Sequence, residues 1–531
     1  MRSGPCVVAP HVTLAPEPTA KLFEFDNSYA EQLDGFYTPW RSVEVAEPRL
    51  VRFNHRLAES LGLEADALDS ETGAAIFAGN VLPAGATPIA QAYAGHQFGG
   101  FNPQLGDGRA LLLGEVLDPT GARFDIALKG SGRTPFSRGG DGRAALGPVL
   151  REYLMGEAMY ALGIPTTRAL AAVSTGEQVL RDRALPGAVL TRVAASHLRV
   201  GTFQFFAARG EIDKVRQLVS YALARHDPDL AGAPNQALAL LHTVIERQAG
   251  LIAAWMNVGF IHGVMNTDNV AVSGETIDFG PCAFMEGFDP GTVFSSIDEG
   301  GRYAYGNQPS IGKWNMARLA ETLLPLIADE QDRAVQLATE AIDRFDGVYL
   351  ETWLAGARRK LGLAMSEDGD LELLTGWLDV LAAPRVDFTL AWRRLADAAT
   401  GDEAPLRALF ADQEPLDRWL ERWHVRLERD AAGCLVPGGA EQRSRAGGAD
   451  AAVRASAGRA AAMRAANPIY IARNHLVEEA LAAAVDDENL EPFERLLDVL
   501  ADPYRERLGD VRFAHPASPE FTARYRTFCG T

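Results

Sequence analysis

Residues Phe260–Val272, FIHGVMNTDNVAV, and the closely following Thr276–Gly280, TIDFG, decide how this chain is to be read. Asn269 lies seven residues after His262, and Asp278, opening Asp278-Phe279-Gly280, lies nine beyond Asn269. An amide oxygen and a carboxylate at that spacing are the ligands of a metal ion that handles nucleotide phosphates. Enzymes that phosphorylate a hydroxyl carry an aspartate between the His and the Asn, and here that position is Val264. Valine takes no proton. The remaining carboxylate beside an incoming hydroxyl is Asp268, which also reads as a turn-capping acid.

Upstream, RALLLGEVL from Arg109 and RFDIALKG from Arg123 flank DPTG and read as a β-hairpin. Gly106 and Gly108 sit in the turn before it, where absent side chains let backbone N–H groups approach a phosphate and Arg109 adds charge. A plain hairpin turn has the same composition. Lys129 ends the second strand, and LGPVLREYLMGEAMYALGI reads as a helix that puts Glu152 where the lysine's partner belongs, with Glu157 as a competitor the sequence separates from it only weakly. Glycine pair, lysine, helix glutamate, asparagine and Asp-Phe-Gly follow in the order found in protein kinases. Between lysine and helix, GSGRTPFSRGGDGRAALG reads as a solvated loop or, through Asp141-Gly142-Arg143, as a lid over a nucleotide. GAVLTRVA reads as a strand. In LTRVAASHLRVG, Arg192 and Arg199 would share one helical face if a helix ran through Ala194 and Ser196. With Lys129 and Arg109 they make four cations, enough to neutralise a triphosphate.

Those cations stand out because the 531-residue chain carries a net charge of -19, which argues against nucleic acid or an anionic membrane as a broad partner. No secretory apolar run opens the chain and no later segment reads as a membrane span, so a cytoplasmic location is expected. Cys6, Cys282, Cys434 and Cys529 show no zinc spacing and read as reduced thiols. The expected organisation is an N-terminal extension over 1–80, a sheet-bearing unit over 81–186, a unit with the catalytic and metal-binding loops over 187–330, and a helical region over 331–531. Within the last, the Ala/Gly/Arg-rich segment 433–468 reads as a mobile loop plus a short helix.

The stretches DNSYA, QAYAGHQFGGFNPQLGDGRALLLGE, LKGSGRTPFSRGGDGRAALGPVLREYLMGEAMYALGIPTTRAL, HGVMNTDN, IDFGPCAFM, GRYAYGNQP, WNMARLAETLLPL and NPIYIARNHL together resemble the selenoprotein O family of protein adenylyltransferases. The resemblance runs from about Phe23 to the C-terminus. It implies an α/β (α+β) protein-kinase-like bilobal fold with a mainly helical C-terminal extension. It also implies AMP transfer from ATP to Ser, Thr or Tyr hydroxyls of proteins, with ATP inverted relative to ordinary kinases and pyrophosphate leaving. By the same resemblance Gly106, Gly108, Arg109, Lys129, Asp141, Gly142, Arg192, Arg199 and Asp278 bind the nucleotide, Asp268 accepts the proton, and Asn269 with Asp278 hold Mg²⁺ or Mn²⁺. A monomer is expected. Animal members carry selenocysteine third from the end, where this chain has Cys529; a Cys282–Cys529 disulfide and two unrelated thiols are both open. SSIDEGGRYAY is less His-rich than expected for the loop after the metal site. The alternatives are uridylyl transfer from UTP, phosphoryl transfer to a small molecule, and a catalytically silent nucleotide sensor.

Overall fold

In a computed structural model of the chain, which describes residues 22–433 and 448–528, the two apolar runs around DPTG form the antiparallel strands Ala110–Leu117 and Arg123–Lys129. Asp118 closes their turn by accepting the backbone N–H groups of Thr120 and Ala122, each at 2.8 Å. The hairpin is the centre of an antiparallel sheet whose order is Tyr37–Pro39, Ile89–Gln91, Ala110–Leu117, Arg123–Lys129, Ala184–Ala194, Arg168–Leu180 and Arg49–Phe53. The short strand Ala144–Ala145 pairs with Ala184–Ala194 off that path. The sheet therefore continues past Pro186 to Ala194.

Alternation along the strands assigns the two faces. Ile126, Leu128, Val189 and Val193 join Leu57 and Phe77 of the helices His55–Ser60 and Glu71–Ala78 in one apolar cluster. Leu112, Ala172 and Leu190 turn the other way, toward Leu150 and Leu154 of the helix Leu146–Ala161. Residues two apart share a face, so Lys129, opposite Leu190 in the register, points to the same side as Arg192, opposite Ala127. The helical reading through Ala194 and Ser196 does not hold: Arg192 is a strand residue, and Arg199 precedes the helix Val200–Ala207. The strand pairings available to Thr191, Arg192 and Val193 on both sides outweigh the local helical spacing.

Beyond the sheet the chain is mainly helical, and the described structure as a whole is a mixed α/β protein, about half helix. The helices Gln236–Val258, Gln308–Ile327 and Gln331–Leu361 pack on one another. Gln236–Val258 is long and apolar enough to cross a membrane by length and composition, but 56% of its apolar window is buried inside the protein. The C-terminal helices are not an independent appendage. Asn474–Asp486 and Glu491–Leu500 return to brace Leu146–Ala161, with Phe493 edge-on to Tyr153 at 6.1 Å and Glu478 3.1 Å from Arg151. Of the segment expected to be loop, residues 434–447 lie outside the described residues, and Gly448–Ala466 is a 19-residue helix.

Candidate active site

Sheet, helix and the loops after Phe260–Ile261 enclose a cavity of about 450 Å³. All eleven residues singled out from the sequence line it: Gly106, Gly108, Arg109, Lys129, Asp141, Gly142, Arg192, Arg199, Asp268, Asn269 and Asp278. Asp278 is the hub. One of its oxygens accepts from Lys129 Nζ at 2.6 Å and Arg192 Nη1 at 2.8 Å, and the other lies 3.2 Å from Arg199 Nη1. Its backbone φ of +66° is a left-handed conformation that a non-glycine residue adopts only when its surroundings impose it. Burial would push this carboxyl up, but Lys129, Arg192 and Arg199 outweigh that effect and hold it well below the usual range.

The helix Leu146–Ala161 answers the open choice of glutamate. Glu152 Oε2 takes Lys129 Nζ at 2.5 Å and its other oxygen faces Arg192 at 3.2 Å, whereas Glu157 makes a two-pronged pair with Arg168 at 2.7 and 2.6 Å. Three cations thus meet two carboxylates inside an acidic protein, leaving positive charge for an anion.

Asp268 is built differently. It is buried, its Oδ2 accepts from Gln97 Nε2 at 3.2 Å, and its Oδ1 has no partner. Burial raises its carboxyl to about 6. The hairpin strands Gly95–Gln97 and Gly100–Asn102 hold it there, because His96 N donates to Thr267 Oγ1 at 2.7 Å and Phe98 N to Asn266 Oδ1 at 3.0 Å. A Cβ at Gly95 would lie 2.5 Å from Asp268 Oδ1, so only glycine fits against the acid. Asn269 donates its amide N–H to the Val264 carbonyl at 3.1 Å, which turns the amide nitrogen to the loop and leaves the amide oxygen for another partner. The Val264 side chain is buried at the cavity wall and offers no acceptor.

The Gly106–Gly108 turn is roofed by the segment after Lys129. Phe136 sits on Gly106, where a Cβ would come within 2.3 Å of the ring and φ is +72°. Thr134 Oγ1 donates to the Asp107 carbonyl at 2.6 Å and Ser137 Oγ donates to that of Gly108. The segment is thus packed directly onto the turn through Thr134, Phe136 and Ser137. Asp141 does not point its charge at the cavity: both its oxygens are engaged by Arg181, at 2.8 and 3.1 Å, and it also accepts from Arg143 N at 2.9 Å. Among the described residues no three His, Cys, Asp or Glu side chains gather into a metal site. That donor set suits a hard cation held by one carboxylate and one amide with nucleotide phosphates completing its shell.

Comparison with known proteins matches residues 19–501 to the family described as protein adenylyltransferase SelO. The chain belongs to that family. It is 60% identical over 510 residues to a protein nucleotidyltransferase YdiU of Cereibacter sphaeroides strain KD131, covering 96% of this chain and 100% of the relative. Proteins of the same name from Rhizobium etli strain CIAT 652 and Rhizobium leguminosarum bv. trifolii strain WSM2304 are 56% and 55% identical, over 96% and 98% of this chain and 97% and 99% of theirs.

In this SelO-family chain, sequence reasoning passed over several cavity residues and supports. Gln97, Asn266 and Arg181 line the site, and Tyr93 lies under the Arg199 guanidinium, 4.6 Å from its ring centre. The glycines flanking His96-Gln97-Phe98 were the available signal for a close approach; nothing local marked Arg181. Cys282 is buried, its thiol pushed up to about 12 by burial, while Cys529 lies outside the described residues. From the two ion pairs, Glu152→Gln is expected to lower nucleotidyl transfer about 10- to 100-fold by loosening Lys129 and Arg192. Glu157→Gln should stay within about twofold of wild type, since its partner Arg168 is not part of the cavity. Initial rates of labelled-nucleotide transfer on folded variants check both.

Proposed function

We propose that this chain transfers AMP from ATP to the hydroxyl of Ser, Thr or Tyr side chains on proteins. The observation that carries this reading is the convergence of Lys129, Arg192 and Arg199 on one carboxylate, Asp278, beside a second buried carboxylate, Asp268, with an unpartnered oxygen. The acceptor oxygen forms a bond to the α-phosphorus, the bond from that phosphorus to the α,β-bridging oxygen breaks, and pyrophosphate departs with its electron pair. The hydroxyl proton passes to the Asp268 carboxylate. Lys129, Arg192 and Arg199, with Arg109 at the glycine turn, stabilise the charge that builds on pyrophosphate. Gly106 and Gly108 admit the phosphates to the backbone, and Asp141 with Gly142 shapes the roof over them.

Phosphate oxygens compete with Asp278 for the same cations, so nucleotide binding frees its carboxylate. Asn269 and Asp278 would then hold Mg²⁺ or Mn²⁺, which when bound neutralises phosphate charge. The scaffold of this reading is kinase-like: a sheet-bearing lobe with Lys129 and Glu152, and a helical lobe with Asp268, Asn269 and Asp278. A monomer suffices, because every site residue comes from one chain. The need for ATP and the acidic surface favour a cytoplasmic enzyme acting on proteins rather than on nucleic acid or membrane.

The test incubates the protein and an acceptor protein such as casein with Mg²⁺ or Mn²⁺ and ATP labelled at the α- or the γ-phosphate, with α-labelled UTP in parallel. Label retained from the α-position of ATP, with the mass of AMP on a hydroxyl residue, is expected. Label from the γ-position, preferred use of UTP, or binding of ATP without transfer to any acceptor would each overturn it.

A further inference from the structure

The three cations of the cavity are not held alike. Lys129 meets Glu152 and Asp278, and Arg199 meets Asp278 and the Asp268 carbonyl oxygen, at 2.9 Å for the last. Arg192 is held from behind by a neutral side chain as well: its Nε lies 3.1 Å from His197 Nε2. His197 Nδ1 is 2.8 Å from Asp125 Oδ2, and the His197 backbone N–H donates to the same oxygen at 2.8 Å. Asp125 Oδ1 is gripped by Arg225 Nη2 at 2.5 Å, and Arg225 Nε anchors to the Ala195 carbonyl at 2.9 Å. Arg192, His197 and Asp125 are all at least 96% buried.

The tautomer follows from the donors. A guanidinium Nε always carries hydrogen, so His197 Nε2 must accept, which puts the ring proton on Nδ1, facing Asp125. A second proton would set an N–H against the Arg192 N–H; burial opposes it further, holding the imidazole down at about 4. A carboxylate in this place would orient Arg192 equally well but would also cancel its charge. A neutral imidazole orients the guanidinium and leaves its charge for the cavity. His197 does not itself line the cavity, so it acts through Arg192.

We propose that His197 is a positioning residue for nucleotidyl transfer, a neutral Nδ1-protonated imidazole that aims the Arg192 guanidinium at the phosphate site while Asp125 and Arg225 lock its tautomer. The inference rests on the reading of Arg192 as a phosphate ligand given under Proposed function.

The experiment measures kcat and KM for AMP transfer from α-labelled ATP, together with the Kd of a non-hydrolysable ATP analogue, for His197→Asn and His197→Gln in wild-type and Arg192→Lys backgrounds. Asparagine keeps a donor for Asp125 and removes the acceptor for Arg192, whereas glutamine restores an acceptor near the Nε2 position. His197→Asn is expected to lower kcat about 10- to 100-fold with unchanged melting, and His197→Gln to recover most of it. In the Arg192→Lys background, which has no Nε–H, His197→Asn should cost less than about threefold more. An equal loss in both backgrounds, or no loss in the wild-type background, would remove the role of His197 alone. An Arg192→Lys protein with wild-type rate and affinity would remove the phosphate reading beneath it. Should His197→Asn fail to fold, ring ¹⁵N shifts of the wild-type protein serve: Nε2 unprotonated from pH 6 to 8 supports the proposal, and a protonated Nε2 overturns it.

Discussion

Asp278→Ala should reduce transfer on the order of 10³-fold or more while leaving the nucleotide able to bind. The wild-type carboxylate does two jobs that alanine cannot. On the proposed mechanism it would offer a metal ion the oxygens that Asn269 alone cannot replace, and it balances Lys129, Arg192 and Arg199 in the cavity. Without it Lys129 and Arg192 keep only Glu152 as an ion-pair partner and Arg199 keeps none, a buried imbalance of the kind that lowers stability by about 3 kcal/mol. An anion can restore the balance, so ATP without metal should raise the melting temperature of the variant more than that of the wild type. Label-transfer rates and melting curves with and without ATP provide the check; a variant with wild-type rate would remove Asp278 from the mechanism.

Asp268→Asn should also lose activity, by about 10²- to 10⁴-fold, yet it should gain stability at neutral pH. Burial raises the folded-state carboxyl to about 6, against about 3.8 for the free group. Between these values the unfolded chain has released its proton and the folded chain has not, so stability falls as pH rises through that window, and the cost is fully present above about 6. At 1.36 kcal/mol per pH unit the cost approaches about 3 kcal/mol, which asparagine escapes. On the proposed mechanism Asp268 must be ionised to take the proton, so kcat/KM of the wild-type enzyme should drop as pH falls below about 6, a limb that the variant lacks. A variant that loses both activity and stability, or keeps the limb, would show that Asp268 caps the loop and takes no proton.

The contrast between these two aspartates was legible only in part. Both could be named from FIHGVMNTDNVAV and TIDFG, because metal-ligand and base chemistry restrict residue types at short spacing. That one is saturated by three cations and the other left with a bare oxygen depends on neighbours from residues 97, 129, 192 and 199, which no local pattern joins. The hairpin and the helix Leu146–Ala161 were equally legible, since alternation and the 3.6-residue repeat are properties of a segment's own backbone. The register was not. It is the pairing of Arg192 with Ala127 that turns this arginine into the cavity and overrides the local hint of a helix.

What the sequence by itself determined, then, is the parts and their order: the glycine turn, Lys129, a helix glutamate, Asp268, Asn269 and Asp278, together with the membership they signal. Only the tertiary structure chose Glu152 over Glu157, placed His197 behind Arg192, turned Asp141 toward Arg181, and bent the C-terminal helices back to brace the helix of Glu152. Apart from the neighbours Arg192 and His197, each of these choices is a contact between side chains well separated along the chain or a selection between equivalent groups on one helix. Such contacts are decided by competition for burial and charge in the folded interior, where only one partner fits.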